Sequence, residues 1–198
     1  MNLLVGTDST WSLRAWICSQ LADLDISLQI IDLTRADYKA QILNVSPSGL
    51  VPALINDSFV IHDSLAIVEY FNECSKGSLF PSDSAERALA RSLCAELHSG
   101  FTNFRIKCPF TLEKVLPLSD SSNGIQSEIF RLESIFEQAH LPYMFESAGA
   151  IDAFYAILAF RLKVYGYHLN GKAGDYQESL LNWSYLKQAI QQAKNWKT

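Results

Sequence analysis

The segment GLVPALINDSFVIHDSLAIVEYF, residues 49–71, decides how the fold of this chain is interpreted. Two short apolar runs separated by a turn at Asn56 predict a β-hairpin. Asp63 and Ser64 precede a run with helical spacing, as the capping residues of a helix do. Pro52 stands at the start of the first strand, where a proline fits a sheet edge or a cis peptide bond with the preceding residue. The segment therefore predicts a hairpin, an unusual backbone turn at its entrance, and a helix.

Upstream of this segment the chain alternates strand and helix patterns. Short apolar runs predict strands, and apolar residues three and four positions apart predict helices. The order becomes βαβα followed by ββα, which indicates an α/β layer of fewer than 80 residues. The predicted strands are 2–6, 27–33, 53–56 and 59–61, and the predicted helices are 12–22, 36–45 and 65–73.

Downstream of residue 74 the strand patterns end. Residues 74–84 carry Gly77, Pro81 and four serines, which is typical of a linker. Beyond it the apolar spacing predicts helices and a second, all-helical domain. We predict helices at 85–99, 125–136 and 151–162, and a connecting segment at 116–124.

The composition narrows the classes of function. The chain has 198 residues, of which 48% are hydrophobic and 19% charged, a balance typical of a compact globular protein. Sixteen basic against twenty-one acidic residues, spread without runs, argue against a nucleic-acid partner. No stretch reaches the roughly 20 apolar residues of a membrane span, and the first residues do not resemble a signal peptide. We therefore expect a cytoplasmic protein that does not interact with membranes.

The metal-ligating residue types are scattered along the sequence. The four cysteines form no CxxC pair and the four histidines do not cluster, so we expect buried thiols and no metal site.

Five motifs in their order resemble the cytosolic glutathione transferases. They are STWSLRAW at 9–16, SPSGLVPAL at 46–54, HDSLAIVEYF at 62–71, RALARSLCAELHSGF at 87–101 and IDAFYAILAFRL at 151–162. The first is similar to the SSWSLRPW-like start of bacterial members that use a serine. The resemblance covers nearly the whole chain and implies an α/β thioredoxin-like N-terminal domain, residues 1–76, and an all-α C-terminal domain, residues 85–198.

The resemblance implies a glutathione site in the first domain. The loop of Leu50, Val51 and Pro52 would pair its backbone with the cysteinyl unit, and the Val51-Pro52 bond is expected to be cis. Ser64 would hold the γ-glutamyl carboxylate, which the amides and dipole of a helix N-terminus also favour. Asp63 would meet the γ-glutamyl ammonium. Capping of the helix by either residue is the alternative interpretation, and it is compatible with binding.

Two positions depart from the family pattern. Relatives often carry a basic residue where this chain has Leu50, so Lys39 or His62 is expected to bind the glycine carboxylate instead. Many relatives also carry Ser or Thr where this chain has Gly149, three residues before Asp152 in a helix capping box.

Three hydroxyls near the first helix are candidates for activating the thiol. Ser9, Thr10 and Ser12 follow the first strand and open the first helix, so their hydroxyls lie near a positive dipole end. A thiol with a pKa of about 8.5 is mostly protonated at neutral pH, and one hydrogen bond to the thiolate supplies roughly 1.5–3 kcal/mol. By resemblance Ser9 is the first choice and Thr10 the second, whereas Ser12 is expected to cap the helix.

The electrophile would bind between the two domains. The residues expected to line that pocket are Trp11, His98, Phe101 and Arg105, with Phe104 and Tyr155 as further candidates. A place in the hydrophobic core is the alternative interpretation of each aromatic residue.

The resemblance implies conjugation of glutathione to small electrophiles, a role in detoxification. Glutathione would be a co-substrate, no other cofactor would be needed, and the chain would form a homodimer. A binding or regulatory module without turnover is one alternative, and a glutathione-dependent isomerase or peroxidase is another.

Overall fold

The computed structural model describes residues 1–57, 59–118 and 122–197. These residues group into two compact units. The first contains Met1–Leu79 together with the chain from Gln188 onward, and the second contains Phe80–Lys187. The domain limits 1–76 and 85–198 stay a prediction. Part of the predicted connection at 116–124, residues 119–121, lies outside the described residues.

The first unit follows the order expected from the sequence. Strand and helix alternate up to the hairpin, and a third helix follows the hairpin. The elements are β1 (Asn2–Gly6), α1 (Thr10–Leu21), β2 (Ser27–Ile31), α2 (Tyr38–Leu43), β3 (Ala53–Asn56), β4 (Phe59–His62) and α3 (Ser64–Cys74).

The four strands form one mixed sheet with the order β2-β1-β3-β4. β1 runs parallel to β2 and antiparallel to β3, and β3 pairs with β4 as the predicted hairpin. Leu3, Leu4 and Val5 in the central strand β1 are all inaccessible to solvent. Because successive side chains of a strand point to opposite faces, this burial means that both faces of the sheet are covered.

Leu4 packs with Ile31, Ile42 and Ala53, so α2 covers its face of the sheet. α1 packs on β1 and against α3. The first unit is therefore a helix-covered sheet, as the thioredoxin-like expectation requires.

The second unit is helical. α7 packs against α4 and α8, and α6 packs against α5 and α8. The elements are α4 (Ser84–Ser99), α5 (Thr102–Lys107), α6 (Asn123–Phe136), α7 (Ala150–Val164) and α8 (Gly171–Asn182), followed by α9 (Ser184–Asn195), whose end belongs to the first unit.

The central helix α7 begins at a buried carboxylate. Asp152 Oδ2 accepts from the Gly149 amide at 2.9 Å, which is the half of the capping box that does not need a side chain at Gly149. Asp152 Oδ1 accepts from the Met144 amide at 2.9 Å and from the Tyr176 hydroxyl at 2.6 Å. The Asp152 side chain thereby fixes α7, α8 and the segment before α7 to one another.

The fold class is the predicted one, with two differences in detail. The helices α5, α8 and α9 were not predicted from the sequence. The cap of α1 is Ser9, not Ser12 as expected, since the Ser9 oxygen accepts from the Ser12 amide at 3.2 Å. None of the helices in the described part of the chain is long and apolar enough to cross a membrane.

Candidate functional site

Strand register brings the two halves of the predicted glutathione site to one end of the sheet. Ala53 pairs with Leu4 on one side and with His62 on the other. Two residues further toward the same sheet end lie Gly6 on β1, Val51 before β3 and Ser64 after β4. The β1–α1 turn, the proline loop and the start of α3 therefore meet at this end.

Gly6 is where the β1–α1 turn and the proline loop come closest. A Cβ at this position would lie 2.7 Å from Val51 Cγ2 and 2.8 Å from Leu33 Cδ1, so a larger residue would displace both side chains. The Gly6 amide donates to Ser12 Oγ at 3.2 Å. The hydroxyl of Ser12, which is fully buried, thus joins β1 to α1, and this bond accounts for its place in the motif.

Ser9 and Thr10 lie at the N-terminal end of α1. The Ser9 oxygen caps the helix, and a serine hydroxyl that accepts one bond can still donate its proton to another group. The Ser9 amide donates to the Gly6 carbonyl at 3.1 Å, which fixes the turn. Thr10 is the first residue of the helix and is buried. Of the three candidate hydroxyls, Ser9 and Thr10 lie at the helix start, while Ser12 is the third residue of the helix.

The Val51-Pro52 peptide bond is cis, which confirms the prediction for this loop. Leu50 is 63% exposed, and its amide donates to Ser48 Oγ at 3.2 Å. Pro52 is buried and Val51 half-buried, so the loop presents the exposed Leu50 next to a covered Val51-Pro52 pair.

Asp63 caps α3, and Ser64 is its first residue. Asp63 Oδ1 accepts from the Leu65 amide at 2.8 Å, so the capping interpretation holds for Asp63. Its φ of 77° is rarely adopted by residues other than glycine, and such conformations cluster at functional sites. Ser64 is 1% exposed. The amides of the first turn of α3 provide donors and a positive dipole end at this place.

Lys39 on α2 reaches the proline loop. Its ammonium donates to the Gly49 carbonyl at 2.8 Å, directly before Leu50. An ammonium has three N–H groups, so this bond leaves it further donor capacity. His62, the other candidate for the glycine carboxylate, is an exposed residue of β4 that pairs with Ala53.

A cavity of about 360 Å³ opens beside the β1–α1 turn. It lies past the ends of the parallel strands β1 and β2, and the end of the described chain closes one side of it. Lys197 forms an ion pair with Asp8, with 2.7 Å between Nζ and Oδ1. Hydrogen bonds from Thr34 to the Asp32 carboxylate hold the pKa of Asp32 below its ordinary value. The cavity is lined by Thr7, Asp8, Asp32, Thr34, Trp196 and Lys197.

The residues predicted for the electrophile pocket fall in both units. Trp11 belongs to α1 in the first unit, where the Arg14 guanidinium lies 5.8 Å from the centre of its indole ring. His98, Phe101 and Arg105 belong to the second unit, and the structure brings them together. Arg105 Nη1 donates to the carbonyls of His98 at 3.2 Å and Gly100 at 3.3 Å.

Phe101 starts α5 with a φ of 54° and is buried. It lines a smaller cavity of about 190 Å³ together with residues of α4 and α6. The two further candidates, Phe104 and Tyr155, are core residues of the second unit. Tyr155 is fully buried, and its hydroxyl donates to the Leu93 carbonyl at 3.0 Å.

Glu128 and Arg161 organise this part of the second unit and were missed from the sequence. Glu128 accepts from the amides of Asn103 at 3.0 Å and Phe104 at 2.7 Å, so a residue of α6 caps α5. The buried Arg161 donates to the carbonyls of Cys108 and Arg105, and burial lowers its pKa to about 10. Their partners lie 24 or more residues away along the chain, and no local pattern signals such contacts.

The described residues contain no group of three or more His, Cys, Asp or Glu side chains placed to hold a metal ion. The arrangement at the sheet end consists of hydroxyls, helix-start amides and a lysine. These groups can bind a peptide-like ligand with carboxylates and can stabilise a negative charge on it.

The first unit has a thioredoxin-like sheet with a cis-proline loop, and a helical unit follows it along the chain. This order is the one that the resemblance to cytosolic glutathione transferases implies. Residues 8–74 match the family described as the glutathione S-transferase N-terminal domain. This part of the chain thus matches the N-terminal domain of the glutathione S-transferases, which confirms the resemblance of the motifs that lie within it. The finer assignment to the bacterial serine-using members stays a prediction.

Two curated relatives match parts of the chain. A probable maleylacetoacetate isomerase of Caenorhabditis elegans is 33% identical over 93 residues, which are 46% of this chain and 44% of the relative. Glutathione S-transferase 1 of Dianthus caryophyllus is 35% identical over 91 residues, 45% of this chain and 41% of the relative. The matches thus span less than half the length of these relatives.

The whole chain has a counterpart among solved structures. A glutathione transferase homologue from Burkholderia, solved with bound glutathione, superposes with a TM-score of 0.75. The match covers 98% of this chain and 97% of that chain at 23% sequence identity. At this identity the likeness establishes that both units share the fold.

Proposed function

We propose that the chain is a glutathione-dependent enzyme whose first unit binds glutathione and stabilises its thiolate. The observation that carries this proposal is the convergence of the Ser9 hydroxyl, the Val51-Pro52 loop and the start of α3 at one sheet end. The sulfur would lie at the mouth of α1, next to the hydroxyl of Ser9. Thr10 is the alternative donor.

The physical argument concerns the charge on sulfur. Each unit by which the thiol pKa falls requires about 1.4 kcal/mol in favour of the thiolate. One hydrogen bond from Ser9 to a charged acceptor supplies roughly 1.5–3 kcal/mol, and the positive end of α1 adds to it. These two sources are sufficient to make the thiolate a major species at neutral pH.

The rest of glutathione would be held by groups with complementary charge. The γ-glutamyl carboxylate would accept from Ser64 and the first amides of α3, and the Asp63 carboxylate would face the ammonium. The backbone of Val51 would pair with the cysteinyl unit. The glycine carboxylate would meet Lys39, whose ammonium donates to the carbonyl of Gly49, and Lys39 would thereby compensate for the missing basic residue at Leu50.

We propose conjugation as the reaction. The thiolate attacks an electrophilic carbon, a sulfur–carbon bond forms, and the leaving group departs with the bonding electron pair. Trp11, His98, Phe101 and Arg105 are proposed to contact the electrophile. A homodimer, a cytoplasmic location and a role in detoxification belong to this proposal and rest on the family resemblance.

An isomerase is the second candidate, favoured by the match to a probable maleylacetoacetate isomerase. The same thiolate would add to one carbon of a conjugated double bond, the former double bond would rotate, and elimination would return the thiolate. Glutathione would then be regenerated, whereas conjugation consumes it.

Titration of bound glutathione tests the proposed site. The ultraviolet thiolate band is followed against pH in the wild type, Ser9→Gly and Ser64→Ala, alongside glutathione affinity. We expect Ser9→Gly to raise the thiol pKa by about one to two units and leave binding nearly intact, and Ser64→Ala to weaken binding instead. If the Ser9 variant leaves the pKa unchanged, Thr10→Val tests the alternative donor.

Assays with electrophile panels and with a cis-configured maleyl substrate separate the candidate reactions. Loss of free thiol during turnover supports conjugation, and turnover at constant thiol supports isomerisation. If the wild type binds glutathione without lowering its thiol pKa, the enzyme proposal is wrong and a binding module is the remaining interpretation.

A further inference from the structure

The ion pair between Lys197 and Asp8 connects the end of the described chain to the turn that carries Ser9. The two charged atoms are 2.7 Å apart, and both side chains are about 40% exposed. Trp196, the preceding residue, is 5% exposed and its amide donates to the Gln192 carbonyl at 2.9 Å. The buried Trp196 thus fixes the backbone from which the side chain of Lys197 extends.

Asp8 occupies the exposed corner of that turn. Its φ is 60°, a left-handed conformation that aspartate tolerates better than most residues. On one side the Thr7 hydroxyl oxygen accepts from the Leu33 amide at 3.0 Å, and on the other the Ser9 amide donates to Gly6. The residues on both sides of Asp8 are thus hydrogen-bonded to residues in or next to the sheet, and the Asp8 side chain forms an ion pair with Lys197.

The lining of the cavity beside this turn carries two acidic residues and one basic residue. Asp8 and Asp32 both line the cavity, and Lys197 is the one basic residue among the residues that line it. Without the lysine, the Asp8 carboxylate would lose its ion-pair partner, while Asp32 would keep the nearby charge of Arg35. A negative charge close to a forming thiolate disfavours that thiolate. Without its ion-pair partner, the carboxylate of Asp8 would therefore oppose formation of the thiolate at Ser9, the next residue.

We propose that Lys197 is a positioning residue that holds the Asp8–Ser9 turn and balances the charge of Asp8 beside the thiolate. The charge-balancing part rests on the proposed function, since it needs a thiolate at Ser9. The positioning part concerns the protein without a ligand and can be measured separately.

Hydrogen–deuterium exchange of the ligand-free protein measures the positioning. In Lys197→Met the amides of residues 8–13 are expected to exchange about twofold to fivefold faster, the range that a partly exposed ion pair supports. Lys197→Arg is expected to retain the wild-type rates because it keeps the charge. Lys194→Met, which removes a positive charge from the last turn of α9, is the matched control and is expected to leave these amides unchanged.

Titration of bound glutathione measures the charge balance. Lys197→Met is expected to raise the thiol pKa by about 0.3–0.7 units, the size expected for one charge at a solvated surface. The double variant Asp8→Asn with Lys197→Met is expected to return the pKa to the wild-type value, because the unpaired carboxylate is gone.

The two measurements separate failure of this inference from failure of the proposed function. Unchanged exchange in Lys197→Met overturns the inference, and so does an unchanged thiol pKa in that variant when the wild type lowers it. A wild type that does not lower the thiol pKa contradicts the proposed function, and exchange alone then decides the positioning.

Discussion

Ser9 combines two tasks at the residue scale. Its oxygen caps α1, and its proton is proposed to stabilise the thiolate. A substitution that removes both tasks confuses stability with chemistry. Alanine and glycine differ in this respect, because glycine is a tolerable N-cap and alanine is a poor one.

Ser9→Ala is expected to lower the free energy of unfolding by about 1 kcal/mol, and Ser9→Gly by only a few tenths of that amount. Both variants lack the hydroxyl, so both are expected to show the same raised thiol pKa. Urea unfolding and the thiolate band give the two quantities. A thiol pKa that follows stability instead of the hydroxyl would contradict the proposed donor role.

Asp152 is the residue whose loss is expected to harm the fold most. It is fully buried, and in all three of its described hydrogen bonds the Asp152 carboxylate is the acceptor. Burial raises the pKa of this carboxyl, and the three hydrogen bonds oppose that rise. Asp152→Ala would leave three donors in the core without their acceptor.

Tyr176→Phe is expected to cost about 1.5–3 kcal/mol, the worth of one hydrogen bond to a charged group, and Asp152→Ala about 3–5 kcal/mol. Chemical denaturation of both variants measures the two values. The ratio is informative, since equal losses would mean that the Tyr176 bond carries the whole effect.

The residue scale also marks where sequence reasoning stops. The motif at residues 9–16 located the hydroxyls, but it could not tell that Ser9 caps α1 and Ser12 bonds to β1. Both serines fit a cap, and the choice depends on where the Gly6 amide lies in three dimensions. The pairing of Lys197 with Asp8 depends likewise on the whole fold.

At the element scale, Glu96 on α4 and Arg131 on α6 form a two-pronged ion pair with distances of 2.7 and 2.8 Å. The hydrogen bonds from Arg131 hold the pKa of Glu96 below its ordinary value. Because the folded-state pKa is lower than the unfolded one, the pair stabilises the fold above the unfolded pKa. This contribution is lost as the pH falls through the folded pKa.

Glu96→Gln is therefore expected to lower the free energy of unfolding by about 0.2–1 kcal/mol at neutral pH, a small value because both side chains are partly exposed. The difference from wild type is expected to vanish once the pH has fallen below the lowered folded-state pKa of Glu96, where the carboxylate is protonated in both states. Urea unfolding at several pH values measures it. Glu178→Gln on α8 is the control, and a difference that persists in acid would contradict the electrostatic origin.

Elements with a strong local pattern were predictable from the sequence. The strands of the first unit and the helices α4, α6 and α7 follow from apolar spacing within one element. The short α5 escaped prediction because its cap, Glu128, comes from another helix. Local spacing carries no information about such a partner.

At the scale of the whole molecule, the homodimer remains a prediction. The single chain exposes apolar side chains on the second unit, among them Leu89 at 41% and Phe130 at 71%. Two-fold dimers are the commonest oligomers, and an apolar surface of this kind is suited to a second copy. Light scattering at micromolar concentration is expected to give twice the 22.2 kDa of one chain.

Leu89→Glu is expected to shift this mass toward the monomer, because it places a charge within residues 85–104, the helical region that the family resemblance implies as part of the pairing surface. Leu116→Glu, at a residue 87% exposed and outside that region, is the control. A wild type that stays at 22.2 kDa would contradict the predicted dimer.

The path of the chain through the two units has a consequence for biosynthesis. The first unit needs Gln188–Lys197, including the buried Trp196, yet these residues are made after the whole of the second unit. A nascent chain can therefore assemble the sheet early, but it cannot complete the first unit until residues 188–197 have emerged from the ribosome. We expect a fragment ending at Lys187 to be digested by protease within residues 1–79 much sooner than the full chain, and equal resistance would contradict this order of assembly.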